Sequence, residues 1–107
     1  MFVEAVSPVA REALEILGTR IRIGRIRRGW TLAALAERVG VSKPTMIRIE
    51  RGDSKVAIGA VLEAAALTGV ALFDPDPDVR ANRRALQQAE LTLLPRAVRQ
   101  RRVDDDF

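Results

Sequence analysis

Between Thr31 and Gly52 the chain repeats one piece of punctuation at close range: a hydroxyl residue, a short helix-forming run, then a glycine. The Thr31 hydroxyl suits the unpaired N–H groups that open a helix, and Gly40 suits the left-handed turn that ends one after Val39. Ser42 then caps a second helix running to Arg51, closed by Gly52. Only Gly40 and Val41 separate the two segments, so they must meet at an angle, as in a helix-turn-helix. No period-two alternation appears anywhere, and the expected fold class is all-α: a compact bundle of about five helices with a charged C-terminal extension.

The remaining helices follow from similar signals. Ser7-Pro8 reads as an N-cap followed by proline at the first helical position. Val9, Ala13, Leu17 and Ile21 follow at spacing four, giving one long helix that ends at Gly29 or breaks into two at Gly18 or Gly24. Trp30, just before the Thr31 cap, is placed to staple onto Leu35 and anchor the core. A helix over roughly 57–68 turns Ile58, Val61, Leu62 and Ala65 inward. The segment Asp74-Pro75-Asp76-Pro77-Asp78 reads as a solvated linker that excludes helix. Domains are therefore expected at 1–72 and 73–107. In the second, a helix over Val79 to Leu94 carries Leu86 and Leu93 seven apart and is ended by Pro95. Its narrow apolar stripe is expected to pack on a second subunit or a partner protein.

Composition narrows the chemistry. With 107 residues the chain supports one small core, and with no cysteine and no histidine it has no thiolate nucleophile, disulfide, zinc finger or histidine general base. No carboxylate pair, activated nucleophile or phosphate-cradling loop can be assembled either, so no catalytic residue, metal or cofactor is expected. Asp104, Asp105 and Asp106 are consecutive and cannot be preorganised as a magnesium site. The net charge is +4, and the whole surplus lies in residues 1–72, where 11 basic residues face 7 acidic ones. That balance points to a polyanionic partner. No apolar run is long enough for a bilayer span and no signal peptide is visible, so a cytoplasmic protein without membrane contact is expected.

The second short helix carries the functional expectation. Met46 and Ile49 are three apart and face Leu35, Ala36 and Val39, with small Ala36 allowing a close crossing. The opposite face presents Lys43, Pro44, Thr45, Ile47, Arg48 and Arg51, with no acid among them. Such a rim suits the major groove of double-stranded DNA: lysine and arginine donate to guanine O6 and N7, and Ile47 or Pro44 can touch a thymine methyl. The cluster Arg20, Arg22, Arg25, Arg27 and Arg28 reads mainly as a solvated helix face, with another phosphate patch as the alternative.

On these residues, and most specifically on "TLAALAERVGVSKPTMIRIERGD", the stretch from Leu17 to Val70 resembles the lambda-repressor-like helix-turn-helix family, also called the xenobiotic-response-element family. The resemblance implies base reading by Lys43, Pro44 and Arg48 and phosphate contacts by Thr31, Ser42, Arg51 and Lys55. It also implies a salt bridge between Arg25 and Glu50. Leu32 departs from the family, several members of which place a glutamine there against the DNA backbone.

The ending "LPRAVRQRRVDDDF" is similar to that of the HipB-type antitoxins encoded beside HipA-type serine/threonine kinase toxins. That similarity implies a homodimeric repressor that binds its own palindromic operator and holds a HipA-like kinase inactive. The tail residues Arg96, Arg99, Asp104, Asp105, Asp106 and Phe107 would meet the kinase, with Phe107 as an aromatic anchor and the acids on a basic rim. Arg96 to Arg102 could alternatively touch DNA phosphates. The competing expectation is a stand-alone or prophage-type repressor with no toxin partner.

Overall fold

The computed structural model describes residues 6–98, which form five helices and no strand. These are α1 (Pro8–Arg27), α2 (Leu32–Val39), α3 (Lys43–Arg51), α4 (Ile58–Leu67) and α5 (Pro77–Leu93). The fold is all-α, and the chain divides into two compact units between Leu72 and Phe73. None of the described helices is long and apolar enough to cross a membrane.

In the first unit α3 packs against both α1 and α2, and α4 closes the bundle against the same two helices. The core consists of Ile21, Leu35, Ala36, Met46, Ile49, Val61, Ala64 and Ala65. Leu17, Trp30, Leu32, Val39, Val41, Val56, Leu67 and Val70 pack around it, half-buried. With no aromatic ring in its centre, this core relies on close backbone approach rather than on large side chains.

That approach explains why α1 is continuous where two glycines suggested a break. A Cβ at Gly18 would lie 2.6 Å from the Glu50 carbonyl oxygen and 2.7 Å from that of Ile49, and one at Gly24 would collide with the Thr68 carbonyl oxygen. Both glycines are buried contact points for neighbouring backbone, not helix breakers. The helix ends at Arg27, with Arg28 as its cap and Gly29 beyond it at φ 71°. Its first turns do not serve the core: Val9 and Ala13, expected on the apolar face, are exposed. Ser7 caps this end, accepting from the Ala10 N–H at 3.1 Å.

Two further expectations need correction. On α4 the buried stripe is Val61, Ala64, Ala65 and then Thr68, while Ile58 and Leu62 are exposed. The small residues face inward because they let α4 sit close to α1; the Thr68 hydroxyl satisfies itself by donating to the Ala64 carbonyl at 2.7 Å. In the second unit the helix begins at Pro77, inside the segment read as linker. Asp76 caps it by accepting from the Asp78 N–H at 2.9 Å, and Pro77 occupies the first turn, where its missing N–H has no partner to lose.

Candidate nucleic-acid interface

Local chemistry sets the angle between α2 and α3. Thr31 Oγ1 accepts from the Ala34 N–H at 3.0 Å and opens α2. Gly40, at φ 87°, closes it: the N–H groups of Gly40 and Val41 both donate to the Ala36 carbonyl, at 2.8 and 3.0 Å. Ser42 Oγ accepts from the Thr45 N–H at 3.2 Å and donates to Thr45 Oγ1 at 2.9 Å, so the cap of α3 follows the cap of α2 by two residues. Gly52, at φ 80°, ends α3 with its N–H on the Ile49 carbonyl at 3.1 Å. A side chain at Gly52 would strike the backbone of Leu14 and Glu15, so this turn is also where α3 abuts α1.

Within that frame α3 has two different sides. Met46 and Ile49 are sealed in the core at 0% and 2% exposure. Ser42, Lys43, Pro44, Arg48 and Arg51 are exposed, and Thr45 and Ile47 are half-buried between the two sides. Two of the expected phosphate residues stand outside α3 and its cap. Thr31 is exposed at the start of α2, and Lys55 is exposed in the α3–α4 loop, where its backbone N–H donates to Asp53 Oδ1 at 2.7 Å.

The one acidic side chain of α3 is turned away from the rim and neutralised. Arg25 Nε donates to Glu50 Oε2 at 2.7 Å, and an Arg25 Nη donates to Glu50 Oε1 at 3.1 Å. The other Arg25 Nη donates to the Trp30 carbonyl at 2.9 Å. With side-chain exposures of 11% and 6%, the pair is largely dry, and its fork-to-fork geometry fixes direction as well as distance. It ties α3 both to α1 and to the turn before α2.

The other arginines of the cluster at the end of α1 divide. Arg20, Arg22 and Arg27 are exposed, whereas the Arg28 guanidinium donates to the Thr68 carbonyl at 2.8 Å and lies 5.8 Å from the Trp30 ring centre. Arg38 stacks closer, at 4.3 Å, so Trp30 packs on the core with guanidinium groups over its ring. Leu32 also packs on the core, which explains the aliphatic residue at that position.

Sequence reasoning missed the contribution of the first turns of α1. Arg11 and Glu15 line a groove together with Arg48, Arg51, Gly52, Asp53 and Ser54, beside the C-terminal end of α3. No local signal marks Arg11, because its neighbourhood depends on α1 extending unbroken ahead of its first core residue. Of the tail residues, Arg96 is exposed in the second unit, and Arg99, Asp104, Asp105, Asp106 and Phe107 lie outside the described residues.

A family model described as a helix-turn-helix domain matches residues 16–74, just over half of the chain. The matched span runs from the middle of α1 through α4 and contains Arg25, Glu50 and both helices of the helix-turn-helix. No curated protein and no solved structure matches.

Proposed function

The chain belongs to the helix-turn-helix domain family, and on that premise we propose that it is a sequence-specific transcriptional repressor acting as a homodimer on an approximately palindromic operator. One observation carries the reading: α3 hides Met46 and Ile49 and leaves Lys43, Pro44, Arg48 and Arg51 on a face with no acid. Two such helices, one per subunit, enter successive major grooves about 34 Å apart. Lys43 and Arg48 donate to guanine acceptors, Thr45 adds a hydroxyl, and Ile47 and Pro44 contact thymine methyls.

Thr31, Ser42, Arg51 and Lys55 hold the phosphates. The cap at Thr31 uses an oxygen lone pair and leaves its O–H to donate outward. Ser42 spends its hydrogen on Thr45, so a phosphate contact there requires its hydroxyl to rotate. These contacts set position and affinity, and the base contacts set sequence. The proposed repressor acts in the cytoplasm and without catalysis.

The similarity of residues 94–107 to HipB-type endings supports a finer role, the autoregulating antitoxin of a HipA-like serine/threonine kinase. Co-purification of such a kinase with the chain tests that role. If none binds, a stand-alone or prophage-type repressor remains.

Selection of bound sequences from random double-stranded DNA, followed by footprinting, tests the main reading. The expected result is an enriched inverted repeat with half-sites one helical turn apart. Equal affinity for selected and random DNA overturns it.

A further inference from the structure

Helix α5 places three large aliphatic side chains on one line, Val79, Leu86 and Leu93, each seven positions after the last. Seven residues are about two turns and about 10 Å, so the three form a straight stripe with Leu86 at its centre. All are exposed, at 37%, 71% and 87%, and α5 has no buried residue. The stripe has unlike flanks. Helical geometry places Arg83 and Glu90 along one edge and Asn82 and Ala89 along the other. Charge is also unequal along the axis: Arg80, Arg83 and Arg84 lie in the first half, and Glu90 is the acid of the second.

From this pattern we propose that α5 is a self-association surface that pairs with α5 of a second copy in antiparallel orientation. Leu86 sits at the two-fold axis, and Val79 packs against Leu93 of the partner subunit. The inference rests on the homodimeric reading above and supplies its surface. The orientation follows from symmetry. In an antiparallel pair, the two-fold axis brings like edges of the two stripes to the same side, so Arg83 meets Glu90 of the partner subunit twice, once at each end. In a parallel pair, each Arg83–Glu90 edge faces an Asn82–Ala89 edge, and Arg80, Arg83 and Arg84 of both copies crowd at one end. Asp78 is then the nearby counter-charge. The antiparallel arrangement also opposes the two helix dipoles.

The chain has no cysteine, so single cysteines report the pairing directly. Under oxidising conditions, full-length Val79→Cys mixed with full-length Leu93→Cys is expected to form a mixed disulfide dimer, and Val79→Cys alone is not. Self-cross-linking of Val79→Cys overturns the antiparallel orientation.

Sedimentation without DNA supplies the second readout. Leu86→Asp is expected to be monomeric with its first unit still folded by circular dichroism. Arg83→Glu and Glu90→Arg are each expected to weaken the dimer about fivefold, and the double variant to return to within about twofold of the parent. A double variant as weak as the singles overturns the pairing of these residues. A Leu86→Asp chain that remains dimeric overturns α5 as the surface while leaving the homodimer intact. A parent chain that is monomeric at every concentration overturns the homodimer and this inference together, and DNA selection remains a separate measurement.

Discussion

Arg25 and Glu50 lie twenty-five residues apart in sequence and meet through both carboxylate oxygens, at 2.7 and 3.1 Å. The third direction of the same guanidinium is taken by the Trp30 carbonyl at 2.9 Å. One side chain thus joins three parts of the first unit: α1, the turn before α2, and α3. The pitch of α3 is set from behind, by a residue that shares no surface with its exposed rim.

Breaking this pair from one side leaves a charge in a nearly dry place. Glu50→Ala strands the guanidinium and is expected to destabilise the first unit by about 3 kcal/mol, near the lower end of the range for buried pairs. The double variant Arg25→Met/Glu50→Leu removes both charges and is expected to lose less than Glu50→Ala. Urea unfolding followed by circular dichroism compares the three. If Glu50→Ala unfolds at the parent's midpoint, the pair has no stabilising role.

Three glycines within helices separate propensity from packing. At Gly59 in α4 an added Cβ would meet nothing within 4 Å, so Gly59→Ala is expected to stabilise by about 0.5 kcal/mol through helix propensity alone. Gly18→Ala and Gly24→Ala gain the same propensity but drive a methyl into the carbonyls of Glu50, Ile49 and Thr68, and both are expected to lower the thermal midpoint. A rise in midpoint for Gly18→Ala contradicts the close approach of α1 to α3.

The same glycines mark the limit of what the sequence shows. The two helices around Gly40 are legible because every signal acts within four residues: Thr31 on Ala34, Gly40 on Ala36, Ser42 on Thr45. The two sides of α3 are legible because Met46 and Ile49 share one helical face. What depends on a distant partner is not. Gly18 leaves one long helix and a broken one both open until Ile49 is known to lie against it, and α4 reads as burying Ile58 until Ala64 and Ala65 are seen to be its buried residues. Pro77 reads as linker because proline marks both a helix stop and a first turn, and only the Asp76 cap distinguishes them. The Arg25–Glu50 pair is implied by family likeness alone, since nothing local joins residues so far apart.

Trp30 is the only tryptophan, so its emission reports one environment. The Arg38 guanidinium lies 4.3 Å from its ring centre and shields one face. Arg38→Ala is expected to cost about 0.5–1 kcal/mol and to shift the emission to the red, with easier quenching by acrylamide. Arg38 also stands in the last turn of α2, where a positive charge opposes the helix dipole. Arg38→Lys keeps that charge and loses the planar stack, so its stability should fall between the parent and the alanine variant. Unchanged emission in both variants contradicts the stacking.

Arg48 and Lys55 distinguish reading from holding. Arg48 is exposed on α3, the helix proposed for the major groove; Lys55 is exposed in the loop beyond it and is proposed to hold the backbone. Arg48→Ala is expected to cost about 1–3 kcal/mol on the selected operator and to relax the preference at one base pair, with little change on random DNA. Lys55→Ala should weaken selected and random sequences by the same factor, because every sequence carries the same phosphates. It should also lower the slope of log affinity against log salt by about one, the signature of one released counterion. Titrations of both variants on both DNAs at several salt concentrations check this. If Arg48→Ala loses equally on selected and random DNA, the residue holds phosphate instead of reading a base, and the reading role passes to Lys43 and the turn around Pro44.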